Sequence, residues 1–205
     1  MITKEQFGFL SHRQILDAAS VTQEGIHSIK SKQLPVVLKK MDLIKDYDRI
    51  DWGYLSLLLL HAGLKFELVS WIMGCVTNVH FYVLVNHSLT KFFKGHHGLR
   101  QGCPLSPLLF LLVIDGLSQM TGLAKKSGYL NGVWVSHSQY LSDILFVDDI
   151  VLFGGNNRRE WTVFHEITSL FFSANGMEIN GSKSNFLLRG LQWMIEYLSS
   201  ILSIV

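Results

Sequence analysis

Two adjacent aspartates, Asp148 and Asp149, lie between two apolar runs, residues 144–147 and 150–153. The runs predict a strand pair with both carboxylates at its turn. Adjacent carboxylates repel each other unless a cation or hydrogen-bond donors hold them, so the pattern suggests a divalent metal site and phosphoryl-transfer chemistry. The alternative is an ordinary polar turn, in which Asp is common because it bonds its own backbone. For an isolated Asp-Asp pair, the ordinary turn is the more frequent explanation.

Asp42 is a third carboxylate in a comparable position. It follows a strand-forming run, residues 36–41, and precedes a stretch with helical spacing that continues to Leu60. This order would put Asp42 at the carboxyl end of a strand, where sites are commonly built. If that strand lies beside the 144–153 hairpin, the three carboxylates can hold two Mg²⁺ ions roughly 3.5 to 4 Å apart, as nucleotidyl transfer requires. Only the fold could bring residues this distant in sequence together.

A glycine-containing loop, residues 98–107 (GLRQGCPLSP), precedes an apolar run at 108–114. Its two glycines free the backbone for close approach to a ligand, and Pro104 and Ser106 suit a helix start. Arg100 and Gln101 supply hydrogen-bond donors for a phosphate or a base. The loop is therefore a candidate nucleotide-binding segment.

The order of these three segments resembles the palm of a reverse transcriptase, of the kind carried by plant LINE-type (non-LTR) retrotransposons. The resemblance runs from about residue 6 to residue 187. It implies an RNA-directed DNA polymerase that joins a dNTP to a primer 3′-hydroxyl, with two Mg²⁺ or Mn²⁺ ions as cofactors. The residues that it implies for the metals are Asp42, Asp148 and Asp149. For the nucleotide they are Leu43, Tyr47, Gln101 and Gly102, and Lys183 would approach the triphosphate.

The resemblance also implies an RNA template and a DNA primer as partners. Arg13 lies in a segment similar to the template-facing part of the fingers, and Lys94 and Arg100 lie in a short basic run that contains Phe92 and Phe93. Such a run could follow a nucleic-acid backbone while its rings stack on bases. The alternative for this run is a solvated hairpin with two core phenylalanines.

The chain departs from the family pattern at several positions. Cys103 stands where the family usually has aspartate, Asp46 where it has alanine, and His87 where an Asn-Gly turn is usual. These changes favour a second hypothesis, a truncated and inactive retroelement remnant that keeps the fold and weak nucleic-acid binding. A third hypothesis is an unrelated Mg²⁺-dependent phosphotransferase, which would require Asp42 to lie far from Asp148.

Composition indicates an apolar globular domain, with 48% hydrophobic residues and a mean hydropathy of +0.27. A net charge of +2 excludes a strongly basic nucleic-acid binder. The apolar runs are shorter than the ~20 residues that span a bilayer, so we expect no transmembrane helix and no membrane partner. Two isolated cysteines and the absence of a signal-peptide pattern predict an intracellular protein, in the nucleus or cytoplasm.

The predicted fold is α+β: a palm-like antiparallel sheet with helices packed on one face, plus partial fingers. We place this unit at residues 1–187 and a divergent tail at 188–205. Missing thumb and fingers regions would be encoded elsewhere and would leave apolar surface exposed. The predicted elements are helices at 17–30, 48–61, 66–79, 107–122 and 161–175, strands at 81–85 and 133–135, and the hairpin at 141–153.

Overall fold

A computed structural model describes residues 2–8, 10, 12–13, 15–134 and 140–188. Within these residues the chain forms six helices and ten strands, most of the strands short. In chain order they are α1 (Ile15–Ser31), β1 (Val36–Met41), α2 (Asp46–Arg49), α3 (Trp52–His61), α4 (Phe66–Thr77), β2 (His80–Phe81), β3 (Leu84–Val85), β4 (Ser88–Leu89), β5 (Phe93–Lys94), α5 (Ser106–Lys126), β6 (Val133–Trp134), β7 (Tyr140–Leu141), β8 (Asp143–Phe146), β9 (Asp149–Gly155), α6 (Arg158–Asn175) and β10 (Asn185–Leu188).

A four-stranded antiparallel sheet with the order β10-β1-β9-β8 forms the centre of the fold. Met41 at the end of β1 is opposite Ile150 near the start of β9. β8 and β9 form the predicted carboxylate hairpin, in which Phe146 pairs with Asp149 across a two-residue turn. The predicted α+β class with an antiparallel sheet is confirmed. Of the predicted tail, the described residues include only Leu188, the last residue of β10.

Helices cover both faces of the sheet, whereas the sequence predicted helices on one face. Met41, Leu145 and Ile150 pack in one core with residues of α3, α5 and α6. On the opposite face, Leu38, Ile144 and Phe153 pack in a second core with Ile26 and Ile29 of α1. The difference follows from the sequence of β9, which is apolar at consecutive positions and therefore requires cover on both faces.

The predicted helix at 48–61 is divided into α2 and α3. Ile50 and Asp51 adopt extended backbone conformations between them, and the Asp51 carboxylate accepts a hydrogen bond from the Tyr54 N–H at 2.7 Å. Asp51 is thus the N-cap of α3. Asp48 lies within α2.

The predicted strand at 81–85 is interrupted. β2 pairs with β5, and β3 pairs with β4, so residues 80–94 form one long hairpin with a break near Val83. At its tip Asn86 and His87 both have positive φ, 47° and 64°. These are the angles that a two-residue hairpin turn of type I′ requires, so His87 adopts a conformation for which glycine is better suited.

α5 is the central core helix. By length and composition alone it is apolar enough to cross a membrane, but half of its apolar window is buried within the protein. Its buried residues include Asp115, Ser118 and Thr121, each with a hydrogen-bond partner. This is the pattern of a core helix rather than of a helix surrounded by lipid.

A buried carboxyl connects α5 to β8. Asp143 is almost completely buried and accepts hydrogen bonds from the Ser118 and Ser142 hydroxyls. Lys125 donates to Ser142 Oγ at 3.0 Å and lies 3.9 Å from the Glu5 carboxylate. Burial raises the pKa of Asp143 to about 6, against the lowering effect of the two hydroxyls. The network joins the helix, the sheet and the N-terminal segment beneath the carboxylate hairpin.

Candidate active site

The sheet register brings Asp42 next to the Asp148-Asp149 turn. Because Met41 is opposite Ile150 in the antiparallel pair, the next residue of one strand, Asp42, lies beside the preceding residue of the other, Asp149. Side chains alternate along a strand, so Asp42 and Asp149 face the side opposite the core residues Met41 and Ile150. Two carboxylates more than a hundred residues apart thus meet at one end of the sheet.

Two lysines lie against these carboxylates. Lys40 Nζ is 3.1 Å from Asp149 Oδ1, and both side chains are largely buried. Lys183 Nζ is 3.8 Å from Asp42 Oδ2, on a side chain that is mostly exposed. Lys40 is therefore held in the site by its surroundings, whereas Lys183 is free to move toward a ligand while remaining close to Asp42.

The segment after α6 places Lys183. α6 ends at Gly176, whose positive φ of 80° turns the chain back toward the sheet. The Asn180 N–H then donates to the Asp42 carbonyl at 2.8 Å, and the Asp42 N–H donates to Ser184 Oγ at 3.1 Å. These bonds fix residues 180–184 beside Asp42, which is why a lysine far along the chain reaches the carboxylates.

Asp148 occupies the turn and is exposed to solvent. Partial desolvation and the neighbouring Asp149 raise its pKa above the ordinary value, and Asp46 and Asp42 add to the shift. The turn is strained, because Val147, a β-branched residue, has a φ of 53°. Strain of this kind occurs where packing holds a functional turn in place. Asp42, Asp46 and Asp149 are therefore all close enough to Asp148 to raise the pKa of its carboxyl.

The side chains at this end of the sheet have the chemistry that a divalent cation requires. Their ligand atoms are carboxylate oxygens, which Mg²⁺ and Mn²⁺ prefer, and a cation would offset both the partial desolvation and the repulsion from Asp149 that raise the pKa of Asp148. Among the described residues, no group of three His, Cys, Asp or Glu side chains is arranged to hold a metal. Lys40 and Lys183 lie against two of the carboxylates instead.

A cleft of about 590 Å³ opens beside Asp148. Its volume lies in the range of small-ligand sites. Three of the residues predicted to contact the nucleotide, Tyr47, Gln101 and Gly102, line it together with Asp148. The remaining lining residues are Asp46, Cys103, Pro104, Pro107 and Val147. The structure thus brings the predicted nucleotide-binding residues to the predicted metal-binding carboxylate.

Tyr47 is held from two sides. Its ring stacks on that of Phe110 of α5, with centroids 4.6 Å apart and planes inclined by 12°. Its carbonyl accepts a hydrogen bond from the Leu99 N–H at 2.6 Å. Burial and the nearby Asp46 and Asp148 raise the pKa of the Tyr47 phenol. The side chain is therefore a neutral, rigid wall of the cleft.

The loop at 98–106 is fixed at both ends. Gly98 has a φ of 88°, and a Cβ there would lie 2.5 Å from the Asp48 carbonyl oxygen, so only glycine fits. At the other end the Ser106 hydroxyl donates to the Arg100 carbonyl at 2.7 Å, which ties the turn to the start of α5. Gly102, with φ 81°, has open space beside it. The turn thus presents an uncovered backbone to the cleft.

Cys103 lies in this turn and lines the cleft. The backbone N–H of Leu105 and the side chain of Arg100 lower the pKa of its thiol. The same donors would suit the aspartate that is usual at this position in the family that the sequence resembles. Within the described residues, Cys103 lines the cleft without a histidine among its other lining residues.

Several predicted site residues lie elsewhere. Leu43 follows Asp42 and therefore points to the opposite face, where its side chain is buried in the core, so a side-chain contact with the nucleotide is not supported. Arg13 donates hydrogen bonds to the carbonyls of Thr3 and Gln6, the latter at 2.7 Å, and thus holds the N-terminal segment. Lys94 and Arg100 line a second cavity, next to the cleft.

Two residues of the site are not among those predicted from the sequence. Asp46, which departs from the family pattern, lines the cleft, and its pKa is raised by burial and by Asp48 and Asp42. Lys40 is the ion-pair partner of Asp149. The sequence does predict its position, because a residue two positions before Asp42 on a strand faces the same side of the sheet as Asp42.

Comparisons with known proteins agree with this geometry. The family model described as "Reverse transcriptase (RNA-dependent DNA polymerase)" matches residues 1–202. A transposon TX1 uncharacterized 149 kDa protein of Xenopus laevis is 28% identical over 184 residues, which are 87% of this chain and 13% of that protein. A Pol polyprotein from the retrotransposable element R2 of Nasonia vitripennis is 24% identical over 152 residues, 74% of this chain and 14% of that protein.

The fold is also found in solved structures of telomerase. The Candida albicans enzyme, in complex with a fragment of telomeric RNA, matches with a TM-score of 0.63 at 13% identity, covering 89% of this chain and 31% of that one. Apo telomerase from Candida tropicalis, truncated from its C-terminal domain, matches with a TM-score of 0.61 at 14% identity. These likenesses show the fold. With the family match over residues 1–202, they establish that the chain is a reverse transcriptase domain and belongs to the reverse transcriptase (RNA-dependent DNA polymerase) family.

Proposed function

We propose that this domain catalyses RNA-directed DNA synthesis, the addition of a dNTP to a primer 3′-hydroxyl on an RNA template. The observation that carries the proposal is the meeting of Asp42, Asp148 and Asp149 at one end of the sheet, beside a cleft lined by Tyr47 and Gln101. The chain spans 13% and 14% of the two retrotransposon relatives described above, so the activity of those whole proteins is part of the proposal.

The chain's own residues support the reaction in distinct ways. Asp42, Asp148 and Asp149 carry the carboxylates that would hold the divalent cations, and Lys40 lies against Asp149. Two bound Mg²⁺ or Mn²⁺ ions would supply an activated hydroxyl and neutralise the charge on the leaving group. Lys183 approaches the triphosphate from beside Asp42. Movement of the exposed Lys183 would free an Asp42 oxygen for the cations.

The cleft selects the substrate. Tyr47, held by its stacking on Phe110, forms a rigid wall that would exclude a ribose 2′-hydroxyl by its bulk. The uncovered backbone at Gly102 allows close approach of the nucleotide, and Gln101 offers a donor and an acceptor. The domain would therefore prefer a dNTP to a ribonucleotide.

Asp46 supports the second hypothesis, an inactive remnant with retained nucleic-acid binding. Its half-buried carboxylate lines the nucleotide cleft, where a triphosphate would meet its negative charge. Family enzymes that resemble this chain usually have a small alanine there. The remnant hypothesis predicts folding and nucleic-acid binding without incorporation.

Primer extension distinguishes the two functions. The 205-residue chain is incubated with an RNA template, a DNA primer, dNTPs and Mg²⁺ or Mn²⁺, beside Asp148→Ala as the control. Incorporation that falls at least about a thousandfold in the control supports the polymerase. Folded protein that binds the template but extends no primer, even when Asp46 is replaced by alanine, would rule out the polymerase proposal for this chain and favour the remnant.

A further inference from the structure

A second cavity, of about 620 Å³, lies next to the nucleotide cleft. It is enclosed by the start of α3, the end of α4 and the segment from β5 to Gln101. Gln101 lines both this cavity and the nucleotide cleft, so the two are separated by a single turn of the chain. Nothing in the proposed chemistry uses the second cavity.

Three aromatic side chains form its apolar walls, namely Trp52, Phe81 and Phe93. The rings of Phe81 and Phe93 are 5.9 Å apart and inclined by 30°, and roughly half of the Phe93 side chain is exposed. Trp52 is fixed by a hydrogen bond from its Nε1 to the Gly98 carbonyl at 2.8 Å. A Cβ at Gly95 would lie 3.1 Å from the Phe81 ring, so a larger residue would crowd this wall.

Two cationic side chains, Lys94 and Arg100, line the cavity and are exposed. His96 and His97 also line it and are exposed. Among the described lining residues, Asp48 is the one carboxylate. Flat apolar walls with a cationic rim suit a nucleobase that carries a phosphate, since any base offers a face for stacking and its phosphate needs a positive partner.

We propose that this cavity holds one unpaired nucleotide of the single-stranded template, next to the position copied in the cleft. The base stacks on Phe93 and Phe81, the phosphate contacts Lys94 and Arg100, and the Asp48 carboxylate accepts a hydrogen bond from an exocyclic amine. This inference rests on the proposed polymerase function. An apolar protein segment is the competing occupant, and it is disfavoured because it would cover Lys94 and Arg100 without supplying a negative charge to pair with them.

The chain offers a closely matched pair of variants. Phe93→Ala removes a wall of the cavity. Phe92→Ala removes the neighbouring ring, which is more exposed, packs against Tyr82 with centroids 5.3 Å apart and does not line the cavity. Both are made in the Asp148→Ala background without dNTP, so that binding is measured apart from catalysis. The probe is a primer annealed to a template with a fluorescent label and a single-stranded overhang.

We expect Phe93→Ala to weaken binding about tenfold, and Phe92→Ala less than about twofold. An abasic template nucleotide at one overhang position should remove the difference between the two variants. 5-Iodouracil at that same position should cross-link to the cavity aromatics on irradiation. Lys94→Gln should lower the salt dependence of binding by about one counterion.

Equal losses for the two phenylalanine variants, or cross-links outside the cavity at every overhang position, would overturn the inference. Both results are expected if an apolar protein segment, and not a template nucleotide, occupies the cavity. The outcome is separable from the proposed function: primer extension by the wild-type chain with equal losses contradicts only the cavity assignment. A position-specific cross-link in a chain that extends no primer contradicts only the polymerase activity.

Discussion

The four-stranded sheet and the flank formed by α4 and the hairpin at residues 80–94 both contain many apolar residues, but they bury them very differently. In the sheet core, Met41, Phe110 and Ile150 are fully buried. In the flank, every residue from 80 to 94 is exposed, and Trp71 is 73% exposed. The sheet therefore positions the carboxylates by its own packing, whereas the flank presents apolar surface for something else to cover.

The strongest test of this contrast is a pair of large-to-alanine changes. Phe110→Ala should lower the free energy of unfolding by about 3 to 5 kcal/mol, because it leaves a cavity beneath Tyr47. Trp71→Ala should change it by about 0.5 kcal/mol or less, since most of its side chain meets solvent. Urea unfolding of both variants provides the measurement. Comparable losses would show that the flank is as tightly packed as the sheet.

The buried Asp143 tests how the sheet core responds to pH. Its folded pKa of about 6 is above the ordinary value, so its contribution to stability is fully present near pH 4 and is lost as pH rises through 6. Relative to Asp143→Asn, the wild-type chain should gain on the order of 2 kcal/mol between pH 7 and pH 4. Urea unfolding at both pH values measures the difference. If the free energy of unfolding changed equally with pH in the two chains, the raised pKa of Asp143 would be contradicted.

Asp46 tests whether a negative charge in the cleft at the edge of the sheet weakens dNTP binding. Asp46→Ala should tighten dNTP binding about fivefold, roughly 1 kcal/mol, because a half-buried carboxylate no longer opposes the triphosphate. Asp48→Ala is the matched control, since Asp48 lines the second cavity and not the nucleotide cleft. Calorimetric titration with dNTP gives both affinities. Weaker binding by Asp46→Ala would show instead that Asp46 is a ligand of the cations.

The two cysteines give the smallest effect and compare the cleft directly with the flank. The Leu105 N–H and Arg100 lower the pKa of Cys103, so at pH 7 more of it is thiolate and it should react with iodoacetamide several-fold faster than Cys75, the exposed cysteine of α4. Mass spectrometry of the alkylated peptides follows both rates. Faster labelling of Cys75 would contradict the predicted environment of the turn.

The sequence predicted the parts that follow from local pattern. The β8–β9 hairpin with its carboxylates, the strand that ends before Asp42, and the end of α6 at Gly176 all follow from periodicity and turn chemistry. The family resemblance supplied what spacing could not, the pairing of β1 with β9. Tyr47 and Gln101, which the resemblance assigned to the nucleotide, line the same cleft as Asp148.

What the sequence did not predict depends on contacts between distant segments. α1 covers the second face of the sheet because β9 is apolar on both sides, and a pattern in one strand does not identify the helix that packs on it. Arg13 donates hydrogen bonds to backbone carbonyls near the N-terminus, whereas the resemblance of its segment to the fingers implied contact with the template. The Leu43 side chain lies in the core because the alternation of side chains continues for two residues beyond β1.

The central claim is that carboxylates from two distant segments form one cation site. Iron-directed cleavage tests it most directly: Fe²⁺ replaces Mg²⁺ in the folded chain, ascorbate and peroxide generate hydroxyl radicals at the bound ion, and the backbone cuts are mapped by mass spectrometry. We predict cuts near both Asp42 and Asp148 that excess Mg²⁺ suppresses, that are lost together in Asp148→Ala and that persist in Asp143→Asn. Cuts near only one of the two aspartates, or cuts unaffected by Asp148→Ala, would contradict a shared site.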